Sequence, residues 1–185
     1  MRIVIISGSP RQNSITRRVA VYLHEYLLQH SEYEIDLLDL RRHNLPPIQS
    51  VFCSIDKTPQ EYKSVAEKMF EADAFILVSP EYNGSYSPAM KNLLDHFPKQ
   101  MHKPFGIVTA SPGAMGGIRA SQQMQLLVNA LFGIASPQML IVPNVDKKFN
   151  ELCELTEAGF EKNIHQFVTE FLWLAEKLVE EKVIA

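Results

Sequence analysis

Three short stretches concentrate the groups able to do chemistry. "SGSPRQNSIT", residues 7–16, carries hydroxyls at Ser9, Ser14 and Thr16, an amide at Asn13 and the guanidinium of Arg11. Where such a stretch enters a helix, unpaired backbone N–H groups and the positive end of the helix dipole suit a phosphate. Arginine adds charge neutralisation and paired hydrogen bonds. "PEYNGSY", residues 80–86, sets the carboxylate of Glu81, the phenol of Tyr82 and the amide of Asn83 side by side, with Pro80 before them and Gly84 after. Its backbone amides and Asn83 can meet a planar heterocycle edge-on, with Tyr82 lying against it. "ASPGAMGG", residues 110–117, offers Ser111, Gly113, Gly116 and Gly117, and few side chains to keep a ligand from its backbone. None of the three pairs an obvious nucleophile with a base. The six histidines, His24, His30, His43, His96, His102 and His165, all lie outside them.

Each stretch also has a purely structural reading. Ser9 and Ser14 suit helix caps, with Arg11 solvated. The second stretch suits a capping turn with Glu81 in water, and the third a connector. Several familiar sites are excluded. The first stretch lacks the Gly-Lys-Ser/Thr ending of a Walker loop, and Gly8 lacks the further glycines of a dinucleotide fingerprint. It has no acidic cluster for a phosphoacceptor. Cys53 has Pro59 where a phosphatase loop has arginine.

The elements that must position these stretches follow from periodicity. Residues 2–6, 34–38, 74–78, 105–109 and 138–142 are short apolar runs that read as strands. Helical spacing marks segments starting near Ser14, Tyr62, Ser87 and Gly117, and a closing one through Phe160, Ile164, Phe167, Val168, Phe171, Leu172 and Ala175. Ser87 reads as an N-cap, with Pro88 at the first helical position. Residues 41–60, with Pro46, Pro47 and Pro59, form a long connection of the kind that is usually functional or mobile. Alternation of strands and helices predicts an α/β three-layer sandwich. Its parallel sheet would be five-stranded in the flavodoxin-like order 2-1-3-4-5, with helices on both faces. The three stretches would then meet at the carboxyl edge of the strands, where open α/β sheets bind ligands.

Composition bounds the rest. A chain of 185 residues, 46% apolar and 21% charged, reads as one globular domain over residues 1–185. A net charge of -3 argues against nucleic acid or an anionic membrane as partner. No run approaches the ~20 apolar residues of a spanning helix, and none resembles a signal peptide. Cys53 and Cys153 stand in no metal-ligand spacing and read as reduced cytoplasmic thiols.

Together the stretches resemble the NAD(P)H-dependent FMN reductases of the flavodoxin-like superfamily, a group with azoreductases, quinone reductases and chromate reductases. "GSPRQNS" resembles that family's phosphate loop, "PEYNGSYSPAMKNLLD" its flavin-ring segment, "SPGAMGGIRA" its third flavin loop and "DLLDLRRHNLPPI" the stretch after its second strand. The similarity spans roughly residues 1–145. It implies FMN, with Ser9, Arg11, Ser14, Ile15 and Thr16 around the phosphate. Pro80, Glu81, Tyr82, Asn83 and Gly84 would line the ring, and Ser111, Gly113, Gly116 and Gly117 would approach from the third loop. Pro112 departs from many relatives and has no N–H to donate. The resemblance implies no catalytic acid–base residue. It implies hydride transfer from NADPH or NADH and ping-pong passage of electrons to a flavin, quinone or azo acceptor. A homodimer or homotetramer is also implied, through the helix that here runs from Ser87 to Phe97; the spacing of its Met90, Leu93, Leu94 and Phe97 equally suits an ordinary core face. The alternatives are a flavodoxin-type electron carrier and a regulatory protein of the same fold. No 2′-phosphate site is legible, although Arg41, Arg42, Arg119 and the lysines are available.

Overall fold

The computed structural model describes residues 1–182, with side chains described through residue 179. Its elements run β1 (Arg2–Ser7), α1 (Thr16–His30), β2 (Glu34–Asp39), α2 (Lys63–Glu71), β3 (Ala74–Ser79), α3 (Pro88–Asp95), β4 (Pro104–Ala110), α4 (Ile118–Ala130), β5 (Ile134–Ala135), β6 (Leu140–Val142), α5 (Val145–Lys148) and α6 (Glu161–Lys182). The strands form one sheet in the order β2-β1-β3-β4-β5, and every pairing is parallel. Among the described residues no helix is long and apolar enough to cross a membrane.

The apolar alternation of the strands builds the layers. Ile3, Ile5, Ile76, Val78 and Val108 point to one face, where α1 and α6 bring Val19, Leu23, Leu27, Ile164, Phe167 and Phe171. Val4, Ile6, Phe75, Leu77, Phe105 and Ile107 point to the other, against α2, α3 and α4. Each such side chain, fully buried, contributes about 1.5–3 kcal/mol. The two clusters hold the sheet rigid between them. The loops at its carboxyl edge are thereby fixed relative to one another.

The fifth lane of the sheet differs from the single strand expected at 138–142. β5 pairs with the start of β4, at Pro104 and Phe105, and β6 with its end, from Val108 to Ala110. The interruption holds Pro137, which cannot donate to a ladder. The long connection is pinned. Phe52 packs against the rings of Tyr62, His96 and Phe97, and its N–H donates to the His96 carbonyl at 2.7 Å. The Asn92 amide donates to the carbonyls of Leu45 and Pro46 and accepts from Ile48 N–H. The face of α3 proposed for subunit packing belongs to the core. Met90, Leu93, Leu94 and Phe97 are 0–4% exposed within one chain. An oligomer built on this helix would have to use other residues.

Candidate functional site

β1, β3 and β4 end side by side, so the loops that follow them meet above the sheet. Gly8 holds the first in place. Its N–H donates to the Val78 carbonyl at 2.8 Å, and its own carbonyl accepts from the Ser87 hydroxyl. A Cβ at Gly8 would run into Met90 and the Val78 carbonyl. The same Ser87 hydroxyl accepts from Met90 N–H at 3.1 Å. It therefore caps α3 as the sequence predicts and ties α3 to the first loop. The Ser79 hydroxyl accepts from Ser87 N–H and donates to the Pro80 carbonyl, joining the second loop to β3.

Between the loops lies a cleft of about 350 Å³ lined by Ser9, Arg11, Asn13, Ser14, Ile15 and Thr16, by Pro80, Glu81 and Tyr82, and by Ala110, Ser111 and Pro112. That volume lies within the ordinary range for small-molecule sites, about 300–1,000 Å³. Arg11 crosses from the first loop to the second, its Cζ 4.9 Å from the centre of the Tyr82 ring. Among the described residues Arg11 has no carboxylate partner. At the start of α1 the Ser14 hydroxyl accepts from Arg17 N–H at 3.2 Å. The backbone N–H groups of Ser14, Ile15 and Thr16 meet no acceptor among the described residues. The Thr16 hydroxyl is committed, donating to the Ala110 carbonyl at 3.3 Å.

Asn83, Gly84, Gly113, Gly116 and Gly117 do not line this cleft; they shape its walls. Tyr82 and Ser85 exchange two backbone hydrogen bonds, and Asn83 and Gly84 both have positive φ, 52° and 83°. That is the two-residue turn for which Asn-Gly is the strongest sequence signal. In the third loop, Ser111 N–H donates to the Val142 carbonyl, Gly113 N–H to the Ser111 hydroxyl and Gly116 N–H to the Gly113 carbonyl. Fewer of its backbone donors are free than the sequence implies. Glu81 is also differently employed. Its carboxylate accepts from the N–H groups of Arg119 and Ala120 at 3.2 and 3.5 Å, with the Arg119 guanidinium 3.6 Å away. It caps α4 across the edge of the sheet and is not a solvated group.

Sequence reasoning passed over Asp39. At the end of β2 it is 5% exposed and receives Arg17 at 2.9 Å and Arg41 at 2.6 Å. Arg41 also donates to the Gln12 carbonyl at 2.9 Å, bracing the first loop from behind. Arg41 is thus spent on structure. A carboxylate closing a buried strand has to be paired, and that rule would have marked it. Burial alone would push its carboxyl up, but hydrogen bonds from Arg41 and Arg17 outweigh this and hold it below the ordinary value. A lowered folded value makes its stabilisation complete above the unfolded pKa of about 3.9, and the stabilisation is lost as pH falls through the folded value. Asp39→Asn is therefore expected to cost about 1.5–3 kcal/mol near neutral pH, and progressively less in acid. Urea unfolding across that range checks this; an equal cost at every pH would remove the charge argument.

A parallel α/β sheet with a phosphate-type helix N-terminus and two further loops around one cleft defines a flavodoxin-like, mononucleotide-binding protein. The family model for NADPH-dependent FMN reductase matches residues 1–147. The chain belongs to that family and is an oxidoreductase of the FMN- and NADPH-using kind. An FMN-dependent NADPH-azoreductase from Staphylococcus aureus is 35% identical over 158 residues, covering 82% of this chain and 81% of the relative. Among solved structures, the flavoenzyme NAD(P)H:(acceptor) oxidoreductase FerB from Paracoccus denitrificans is similar with a TM-score of 0.77 at 20% identity, covering 95% and 97% of the two chains. A flavodoxin from Pseudomonas aeruginosa gives 0.56 at 18%, covering 92% and 99%. These last two likenesses show the fold.

Proposed function

We propose that the cleft holds FMN with its phosphate on the α1 N-terminus and its ring between the second and third loops. Through it the protein would pass electrons from NADPH or NADH to a flavin, quinone, azo or similar acceptor. The observation that carries this reading is that, among the described residues, the N–H groups of Ser14, Ile15 and Thr16 meet no acceptor and the neighbouring Arg11 has no carboxylate partner, in a cleft that continues between two glycine-bearing loops. Family membership supports FMN and NADPH, and the name of the Staphylococcus aureus relative supports an azo acceptor.

When bound, FMN supplies the hydride and electron chemistry, and the protein supplies binding, orientation and electrostatics. Arg11 and the α1 N–H groups neutralise the phosphate, with Ser9 and Ser14 hydroxyls beside them. Pro80, Tyr82 and the Asn83–Gly84 turn form one wall of the ring end, and Ser111 and Pro112 stand opposite. With substrates held by stacking on one open face in alternation no acid–base pair would be needed, and among the described residues no histidine lines the cleft. That alternation predicts ping-pong kinetics. The test is to purify the protein, record its absorbance, release the flavin by denaturation and titrate the holoprotein with NADPH and NADH. FMN and parallel-line steady-state kinetics are expected. FAD, or no flavin after reconstitution, would defeat the reading.

A further inference from the structure

Three helices open at the carboxyl edge directly after β1, β3 and β4, and all three N-termini attract negative charge. Their states differ. That of α3 is closed by the Ser87 hydroxyl. That of α4 has no cap of its own, since Gly117 stands at the capping position; Glu81, from the second loop, closes it instead. That of α1 has the Ser14 hydroxyl on Arg17 N–H, but among the described residues the N–H groups of Ser14, Ile15 and Thr16 meet no acceptor. Glu81 is mostly shielded, and its backbone neighbours belong to the ring wall. Among the described residues its carboxylate makes the only side-chain hydrogen bonds between the second loop and the first turn of α4, at Arg119 and Ala120.

We propose that Glu81 is a positioning residue: a clasp that fastens the second loop to the first turn of α4, directly after the third loop, and, by filling the α4 N-terminus with its own carboxylate, leaves α1 as the seat for a ligand phosphate. The inference rests on the FMN reading for its ligand, while the clasp itself is a property of the flavin-free protein. It fixes the direction in which a mononucleotide lies. An anion arriving at the α4 end meets a carboxylate, and one arriving at α1 meets N–H groups and Arg11. Arg119 softens the repulsion little, because it is largely exposed and screened.

Two variants test this. Glu81→Gln keeps an acceptor oxygen and loses the charge; Glu81→Ala loses both. In flavin-free protein, amide exchange at Arg119 and Ala120 should speed up about 10- to 100-fold in the alanine variant, as expected for loss of a charged acceptor. The glutamine variant should recover part of the protection, because it keeps an acceptor oxygen without the charge, and exchange in α6 should not move. Riboflavin, which lacks the phosphate, should bind more weakly to the alanine variant by fluorescence titration. Inorganic phosphate should compete with FMN but not riboflavin in the unaltered protein. In Glu81→Ala it should compete with riboflavin too, because the α4 N-terminus is open to it. Unchanged exchange at Arg119 and Ala120 overturns the clasp, even if FMN binds as proposed. Riboflavin binding indifferent to phosphate in Glu81→Ala overturns the exclusion. A protein that takes up no flavin but shows the exchange pattern defeats the FMN reading and leaves the clasp standing.

Discussion

Arg11→Ala is expected to weaken FMN roughly 10- to 150-fold, since a hydrogen bond to a charged group contributes about 1.5–3 kcal/mol. Riboflavin should lose far less. The guanidinium lies over Tyr82, and an exposed contact of that kind contributes about 0.5–1 kcal/mol. If Tyr82 depends on that contact to lie against the ring, riboflavin would weaken by about two- to fivefold. The ratio between the two ligands isolates the phosphate contribution. Arg11→Lys should recover part of it, because lysine keeps the charge but not the paired geometry. The FMN effect should also shrink as salt is raised, the site being open to solvent. Both dissociation constants can be read by quenching of flavin fluorescence. Equal losses for FMN and riboflavin would place Arg11 on the ring and not on the phosphate.

What was legible in the sequence is what local physics fixes. The buried strands announce themselves as apolar runs, and their parallel order follows from the helices between them. The Ser87 cap is set by a few adjacent residues and stands as expected; the Asn83–Gly84 turn is just as local, two adjacent residues with positive φ. Contacts between distant residues were not legible. Glu81 reads as a solvated carboxylate until β3 and β4 are neighbours, because its partners lie 38 and 39 residues away. Arg41 reads as a free cation until Asp39 is seen to be buried beside it. The two-residue β5 and the four-residue α5 are too short to leave a period. The apolar face of α3 was ambiguous for another reason: a core face and a subunit face have the same spacing.

Gly116→Ala is expected to do the most damage on the ring side. Gly116 has φ 60°, and an added Cβ would lie 2.7 Å from Ile141 Cγ2, 2.8 Å from Pro143 N and 3.0 Å from the Val142 carbonyl carbon. Two of those atoms are backbone and cannot swing aside. The left-handed conformation costs about 1–2 kcal/mol and forced overpacking about 1–3 more. The third loop can relieve this only by lifting away from β6. Ser111 is tied to that same segment at Val142 and Val145, so the wall facing Tyr82 should move with it. FMN and riboflavin should then weaken by similar factors, the reverse of the Arg11 pattern. Reduction of any flavin still bound should slow, since a misplacement of about 1 Å can cost ~100-fold in rate. Gly84→Ala is the contrast. Its φ is 83°, but an added Cβ would meet only Arg119 Cδ, at 3.8 Å. Only the conformational cost of about 1–2 kcal/mol remains there, and its effect should be the milder. Thermal unfolding, flavin titration and anaerobic stopped-flow reduction by NADPH rank the two variants. If Gly116→Ala matched the unaltered protein in all three, the third loop would not be part of the ring site.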